Sequence, residues 1–138
     1  MFSKTLVIIC TFNEKKNISK VIKDVHKNFK NILVIDNNSE DQTLSKVRNF
    51  SVKFTNHIYN LGKSNSMKTG FDYAVIRKFE YLAFIDGDGQ HLGKDLKKLC
   101  EKIYESNSDI VIGYRKNIQY LNFQKMIGTK ILEKLFYF

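Results

Sequence analysis

Short runs of consecutive apolar residues, each closed by a polar cluster, alternate with longer stretches whose apolar positions recur every three or four residues. Thr5 to Cys10, Ile32 to Ile35, Val52 to Ile58, Tyr81 to Ile85 and Asp109 to Gly113 have the length and β-branched or aromatic content of strands. Ile18, Val21, Ile22, Val25 and Phe29 mark one face of a helix over about 15–29. Leu44 and Val47 mark a short helix over about 42–50, with Asp41 as its cap. After the turn Asn60-Leu61-Gly62-Lys63, a buried stripe of Met67, Phe71, Ala74 and Val75 predicts a helix to about Lys78. Leu96, Leu99, Cys100 and Ile103 predict another over about 94–105, and residues 118–138 read as a last helix.

Strand and helix alternate from end to end, and the strands are apolar enough to be buried on both faces. That pattern implies an α/β fold in three layers, α/β/α, around a mainly parallel sheet. The polar loops TFNE, DNNSED and DGDGQH all follow strands. In a parallel sheet they therefore meet at one edge, outside the carboxyl ends where such sheets bind ligands. The stretch Tyr81 to His91 carries the clearest chemistry, as a central strand running into Asp86-Gly-Asp88-Gly-Gln90-His91. Two carboxylates one residue apart on a loop suit a hard cation such as Mg²⁺ or Mn²⁺ beside a phosphate, because neither can be buried unpaired.

Composition narrows this further. Proline is absent and glycine numbers only 7, so no linker divides the chain and one domain is expected. The formal net charge of +9 suits an anionic partner such as nucleotide phosphates, lipid headgroups or nucleic acid. Lysine far outnumbers arginine, which argues against a base-reading nucleic-acid binder. Cys10 and Cys100 have no metal-ligand spacing and read as reduced, buried thiols of a cytoplasmic protein. No run approaches the roughly 20 apolar residues of a membrane span.

Several nucleotide-binding signatures are missing. No G-x-G-x-x-G follows the first strand and no Walker-type loop occurs. DGDGQH starts like a calcium hand, but His91 and Lys97 stand where that loop needs Gly and Glu. The remaining polar residues each allow two readings. Asp36 is either an acid for ribose hydroxyls or a strand-end turn. Asn13 and Glu14 either face a nucleobase or cap the first helix. Lys63 either helps a helix N-terminus hold a diphosphate or is solvated. His91 either neighbours metal and phosphate or steadies its loop.

In order and spacing, TFNE, DNNSEDQT, NLGKSNSMKTG and DGDGQH resemble the family-2 glycosyltransferases of GT-A fold. Within that family they look most like the dolichol-phosphate mannosyltransferase and polyprenyl-phosphate glycosyltransferase branch. The resemblance covers residues 5 to about 116. It implies that Thr11, Asn13 and Glu14 touch the nucleoside, that Asp36 holds base or ribose, and that Asn60 and Gly62 form the turn before the helix beneath the nucleotide, which Lys63 begins. It makes Asp86 and Asp88 the D-x-D pair, with Asp88 the direct metal ligand, Asp86 nearer the ribose or a metal-bound water, and Gln90 a further polar ligand. Arg115 matches the basic residue beside the transferring phosphates.

The resemblance thus implies an inverting, Mg²⁺- or Mn²⁺-dependent transfer from a UDP- or GDP-sugar to a polyprenyl phosphate or glycan. This chain departs from the pattern with Cys10 in place of a proline, and with Asn37 and Asn38 in the D-D-G-S motif. It also runs out before the expected acceptor half. Residues 1–117 are then the donor-binding core, and 118–138 a basic amphipathic helix suited either to an anionic membrane surface or to packing on the sheet or on another subunit, a second copy or a partner chain. A binding module without turnover is the alternative.

Overall fold

The computed structural model describes residues 2–106 and 108–114. Its elements are β1 (Thr5–Thr11), α1 (Ile18–His26), β2 (Ile32–Asp36), α2 (Thr43–Val47), β3 (Lys53–Asn56), α3 (Lys63–Ile76), β4 (Tyr81–Asp86) and α4 (Gly93–Glu105). Every strand pair is parallel and the order is β3-β2-β1-β4. Alternating side chains of β1, β2 and β4 feed two cores. Val7, Ile9, Val34, Ala83 and Ile85 meet Ile18, Val21, Ile22 and Val25 of α1, Val47 of α2, and Leu96 and Cys100 of α4. Leu6, Ile8, Leu33 and Ile35 meet Ala74 of α3 on the opposite face. The predicted three layers are therefore present.

The register sets the functional edge. Thr11 pairs with Asp36, Cys10 with Asp86, and Asp36 with Asn56, so the strands end nearly level. Going from β3 to β4 the chain crosses back past β1, and the order reverses between β1 and β4. In open α/β sheets a crevice opens at such a point.

Several expectations need correction. Among the described residues the central position belongs to β1, and β4 lies at the end of the order with Tyr81, Leu82 and Phe84 only partly buried. Apolarity signals burial and leaves strand order open. Asp109 to Gly113 forms no strand, and Ile110 and Ile112 are 75% and 84% exposed. Five strand-like residues satisfy their backbone only where a neighbour offers a ladder. The third strand is shorter than predicted and mostly exposed, as an edge strand allows.

On α3 the buried face is Ser66, Gly70 and Ala74, whereas Phe71 and Val75 point outward. A Cβ at Gly70 would lie 2.5 Å from Ile8 Cδ1, so the helix sits close on the sheet through its small residues. Hydrophobic periodicity cannot register such a face. Asp41 precedes the helix start instead of capping it. Gln42 takes the capping position with a left-handed backbone (φ 68°), while Asp41 accepts the Thr43 N–H at 3.0 Å. Arg115 and the predicted helix over 118–138 lie outside the described residues.

One cap was invisible in the sequence. Asp24 of α1 accepts the Gly93 N–H at the start of α4, at 2.6 Å. That bond, and then Lys27 beside it, holds the Asp24 carboxyl below the usual carboxylate range. Asp24→Ala is expected to lower stability at pH 7 by about 1 kcal/mol. Because the folded-state pKa is depressed, the stabilisation is present above the unfolded value of about 3.9 and fades as pH falls through the lower folded value. Urea unfolding of both proteins at pH 7 and pH 3 measures the difference, which should shrink at the acid end.

Candidate functional site

Three loops join at the carboxyl edge because their side chains bond to one another. Asn13, forced to a positive φ of 55°, donates its N–H to Ser39 Oγ (2.8 Å), and its side-chain oxygen accepts the Glu40 N–H (2.9 Å). Ser39 in turn donates its N–H and its hydroxyl to the two oxygens of Asp36. Glu14 donates its N–H to Thr43 Oγ1 and accepts the Asn17 amide at 2.7 Å. The Lys15 N–H reaches Asp41 at 2.9 Å. The TFNE and DNNSED loops are thus fastened together before any ligand is considered.

Asn37 and His57, neither predicted, organise the next loop. Asn37 is buried, donates its amide to Asn60 Oδ1 (2.6 Å), and accepts the Leu61 N–H (3.0 Å). Because that backbone donor needs an acceptor, the orientation of the amide is determined. The same oxygen meets His57 Nδ1 at 3.0 Å, and His57 Nε2 meets Thr69 Oγ1 of α3 at 3.0 Å. Asn60 Oδ1 also takes the Gly62 N–H at 3.0 Å. Asn37 stands where the D-D-G-S motif has an acid, and here it serves as both donor and acceptor. No periodicity or spacing singles out such residues.

The loops enclose a cavity of about 310 Å³ lined by Thr11, Glu14, Asn37, Asn60, Gly62, Lys63, Asp86 and Asp88, with Cys10, Phe12, Ser66 and Gly87. Asn13 and Asp36 are not among its lining residues and support it from behind; Gln90 is exposed and borders a neighbouring cavity of about 640 Å³. Both cavities share Cys10, Lys63 and Asp86. Gly87 lets the DGDGQH loop lie against β1, since a Cβ there would stand 2.8 Å from Thr11 Oγ1. That hydroxyl is buried and has no hydrogen-bond partner among the described residues. A buried hydroxyl without a partner is costly unless a ligand or water completes it.

The acids differ in their partners. Asp86 is gripped by the Lys63 ammonium, 2.7 Å from one oxygen and 2.8 Å from the other. Asp88 accepts the Gln90 N–H at 2.9 Å. Burial, and then the Asp86 charge, pushes the Cys10 thiol up to about 11, while Lys63 pulls the other way. That shift keeps the Cys10 thiol protonated at neutral pH. Among the described residues no three His, Cys, Asp or Glu side chains converge as a metal cage. Two carboxylates still fit a hard cation, which commonly takes one or two protein carboxylates and completes its shell with phosphate oxygens and water.

The parallel sheet, the flanking helices and this strand-end cavity define a GT-A α/β/α fold. The solved structure of glucosyl-3-phosphoglycerate synthase from Mycobacterium tuberculosis with uridine diphosphate shares it, with a TM-score of 0.65 at 16% identity over 95% of this chain and 50% of that one. The chain belongs to glycosyl transferase family 2, whose pattern it matches over residues 6–138.

Two relatives carry telling names. It is 31% identical to dolichol-phosphate mannosyltransferase of Pyrococcus furiosus, over 81% of this chain and 33% of that protein. It is 28% identical to polyprenol monophosphomannose synthase of Mycolicibacterium smegmatis, over 81% of this chain and 45% of that protein. The chain spans between 33% and 66% of the length of the relatives it was matched with. Among the described residues, no helix is long and apolar enough to cross a membrane.

Proposed function

We propose that the protein takes part in glycosyl transfer from a nucleoside diphosphate sugar, and that the cavity of about 310 Å³ holds the donor. The observation that carries this is the meeting of three cross-bonded loops at the point where the strand order reverses. There, two carboxylates and a lysine line one cavity, and Thr11, whose buried hydroxyl has no partner among the described residues, forms part of its wall. Thr11, Glu14 and Asn37 offer hydrogen bonds to the nucleoside, and Asn13 and Asp36 hold those residues in place. The Gly62 N–H goes to Asn60 Oδ1 and no side chain caps α3, so the first N–H groups of the helix and the Lys63 ammonium are what it offers to diphosphate oxygens.

Asp86 and Asp88, with Gln90 nearby, are the residues that would hold Mg²⁺ or Mn²⁺. Such a cation, when bound, offsets charge building on the departing diphosphate. Asp88 keeps its loop shape through the Gln90 N–H while presenting its charge to the cavity. Lys63 adds a second positive charge against the same phosphates. Attack from the side opposite the leaving group inverts the anomeric carbon. The relatives' names support a polyprenyl phosphate acceptor, whose oxygen is already anionic and needs no general base. The neighbouring cavity, lined by Phe84, Leu92, Leu99 and Tyr114, offers the apolar wall such an acceptor requires.

Melting temperature tests the donor assignment. With Mn²⁺ and either UDP or GDP at about 100 times its Kd, the midpoint should rise by roughly 5–10 °C. No rise with either nucleotide would overturn it.

A further inference from the structure

Lys63 grips both oxygens of Asp86, yet its own side chain is 61% exposed. The pair stands on the wall shared by the two cavities at the carboxyl edge, since both residues line each of them. An ammonium closed on a carboxylate occupies the place, and meets the charge, that a divalent cation would otherwise take. The two cannot hold the same oxygens together, because like charges a few ångströms apart repel strongly. An exposed ion pair is weak, and a lysine on the first turn of a helix has a flexible stem with which to leave it. What it lacks, without a ligand, is a better anion to move to.

From this geometry we infer that Lys63 is the resident cation of the site and is exchanged for the divalent metal when a diphosphate arrives. Without nucleotide, Lys63 holds Asp86 in position and disfavours metal binding. When a nucleoside diphosphate enters, its phosphates draw the ammonium away and Asp86 is freed beside Asp88. Metal and donor therefore bind together, and metal alone binds poorly. This exchange rests on the donor and metal assignment above and adds an order of binding to it.

The test is a Mn²⁺ titration of the full chain, with free metal followed by its electron paramagnetic resonance signal. Wild type, Lys63→Met and Lys63→Arg are compared with and without saturating UDP or GDP. Without nucleotide, Lys63→Met should bind Mn²⁺ about tenfold more tightly than wild type, and Lys63→Arg should stay with wild type. With nucleotide that advantage should vanish or reverse, because methionine offers the phosphates no charge. Equal metal affinities without nucleotide, in proteins that do bind Mn²⁺ with it, overturn the exchange alone. Tightening by Lys63→Arg as well also overturns it, since charge would then not be the cause. If none of the proteins binds Mn²⁺ even with nucleotide, the metal assignment falls and the exchange falls with it.

Discussion

Asp88→Asn is expected to cut sugar transfer at least about 100-fold while leaving the melting temperature unchanged. Asp88 is half-buried on the cavity wall, and its resolved bond is the Gln90 N–H at 2.9 Å. An asparagine oxygen accepts that N–H equally well, so the loop keeps its shape. What disappears is a negative charge facing the cavity, and with it a strong oxygen ligand for a hard cation. The effect should fall on kcat, because stabilisation is required as charge develops on the leaving diphosphate. Lys63 beside Asp86 cannot compensate, since it adds positive charge without supplying a ligand. The measurement is steady-state transfer alongside thermal unfolding. A well-folded Asp88→Asn protein with undiminished transfer would sink the assigned role.

Gly70→Ala should destabilise the fold by about 1–3 kcal/mol, although alanine improves an isolated helix by about 1 kcal/mol. The added methyl would stand 2.5 Å from Ile8 Cδ1, 2.8 Å from Ile8 Cγ2 and 3.1 Å from Ile35 Cδ1. Both isoleucines are fully buried, so neither side chain has room to retreat. The strain should show as a lower urea midpoint with an unchanged slope. Ile8→Ala alone should cost about 2–5 kcal/mol through the cavity it leaves. Together the two changes should cost less than their sum, because the new methyl fills part of that cavity. Additive losses would mean that α3 does not press on Ile8 as this packing requires.

Parts of the fold were plain in the chain itself. The apolar runs at Thr5 and Ile32 could only be strands buried on both faces. The spacing of Ile18, Val21, Ile22 and Val25 marked a one-sided helix, and all four are buried, as is Phe29, which lies just past the end of α1. The placing of TFNE, DNNSED and DGDGQH after strands already implied that the three loops share one edge, and the register brings them there.

Other features depended on partners far away in sequence. The acid and cation of the Lys63–Asp86 pair come from different strand-end segments, and the Asp24 cap joins two helices. Asn37 and His57 acquire meaning only when β2, β3 and α3 come together. The inner face of α3 was misjudged because close packing favours small residues, which carry little hydrophobic signal. Asp109 to Gly113 was misjudged because an apolar run states a preference for burial and names no neighbour. By itself the sequence marked the four strands and four helices of the described residues, though not their exact bounds, and showed which loops carry charge, because those properties are largely local. Only the tertiary structure decided which strand is central, which carboxylate is paired with Lys63, and which hydroxyl is buried without a partner among the described residues, because those depend on what folding brings within about 3 Å.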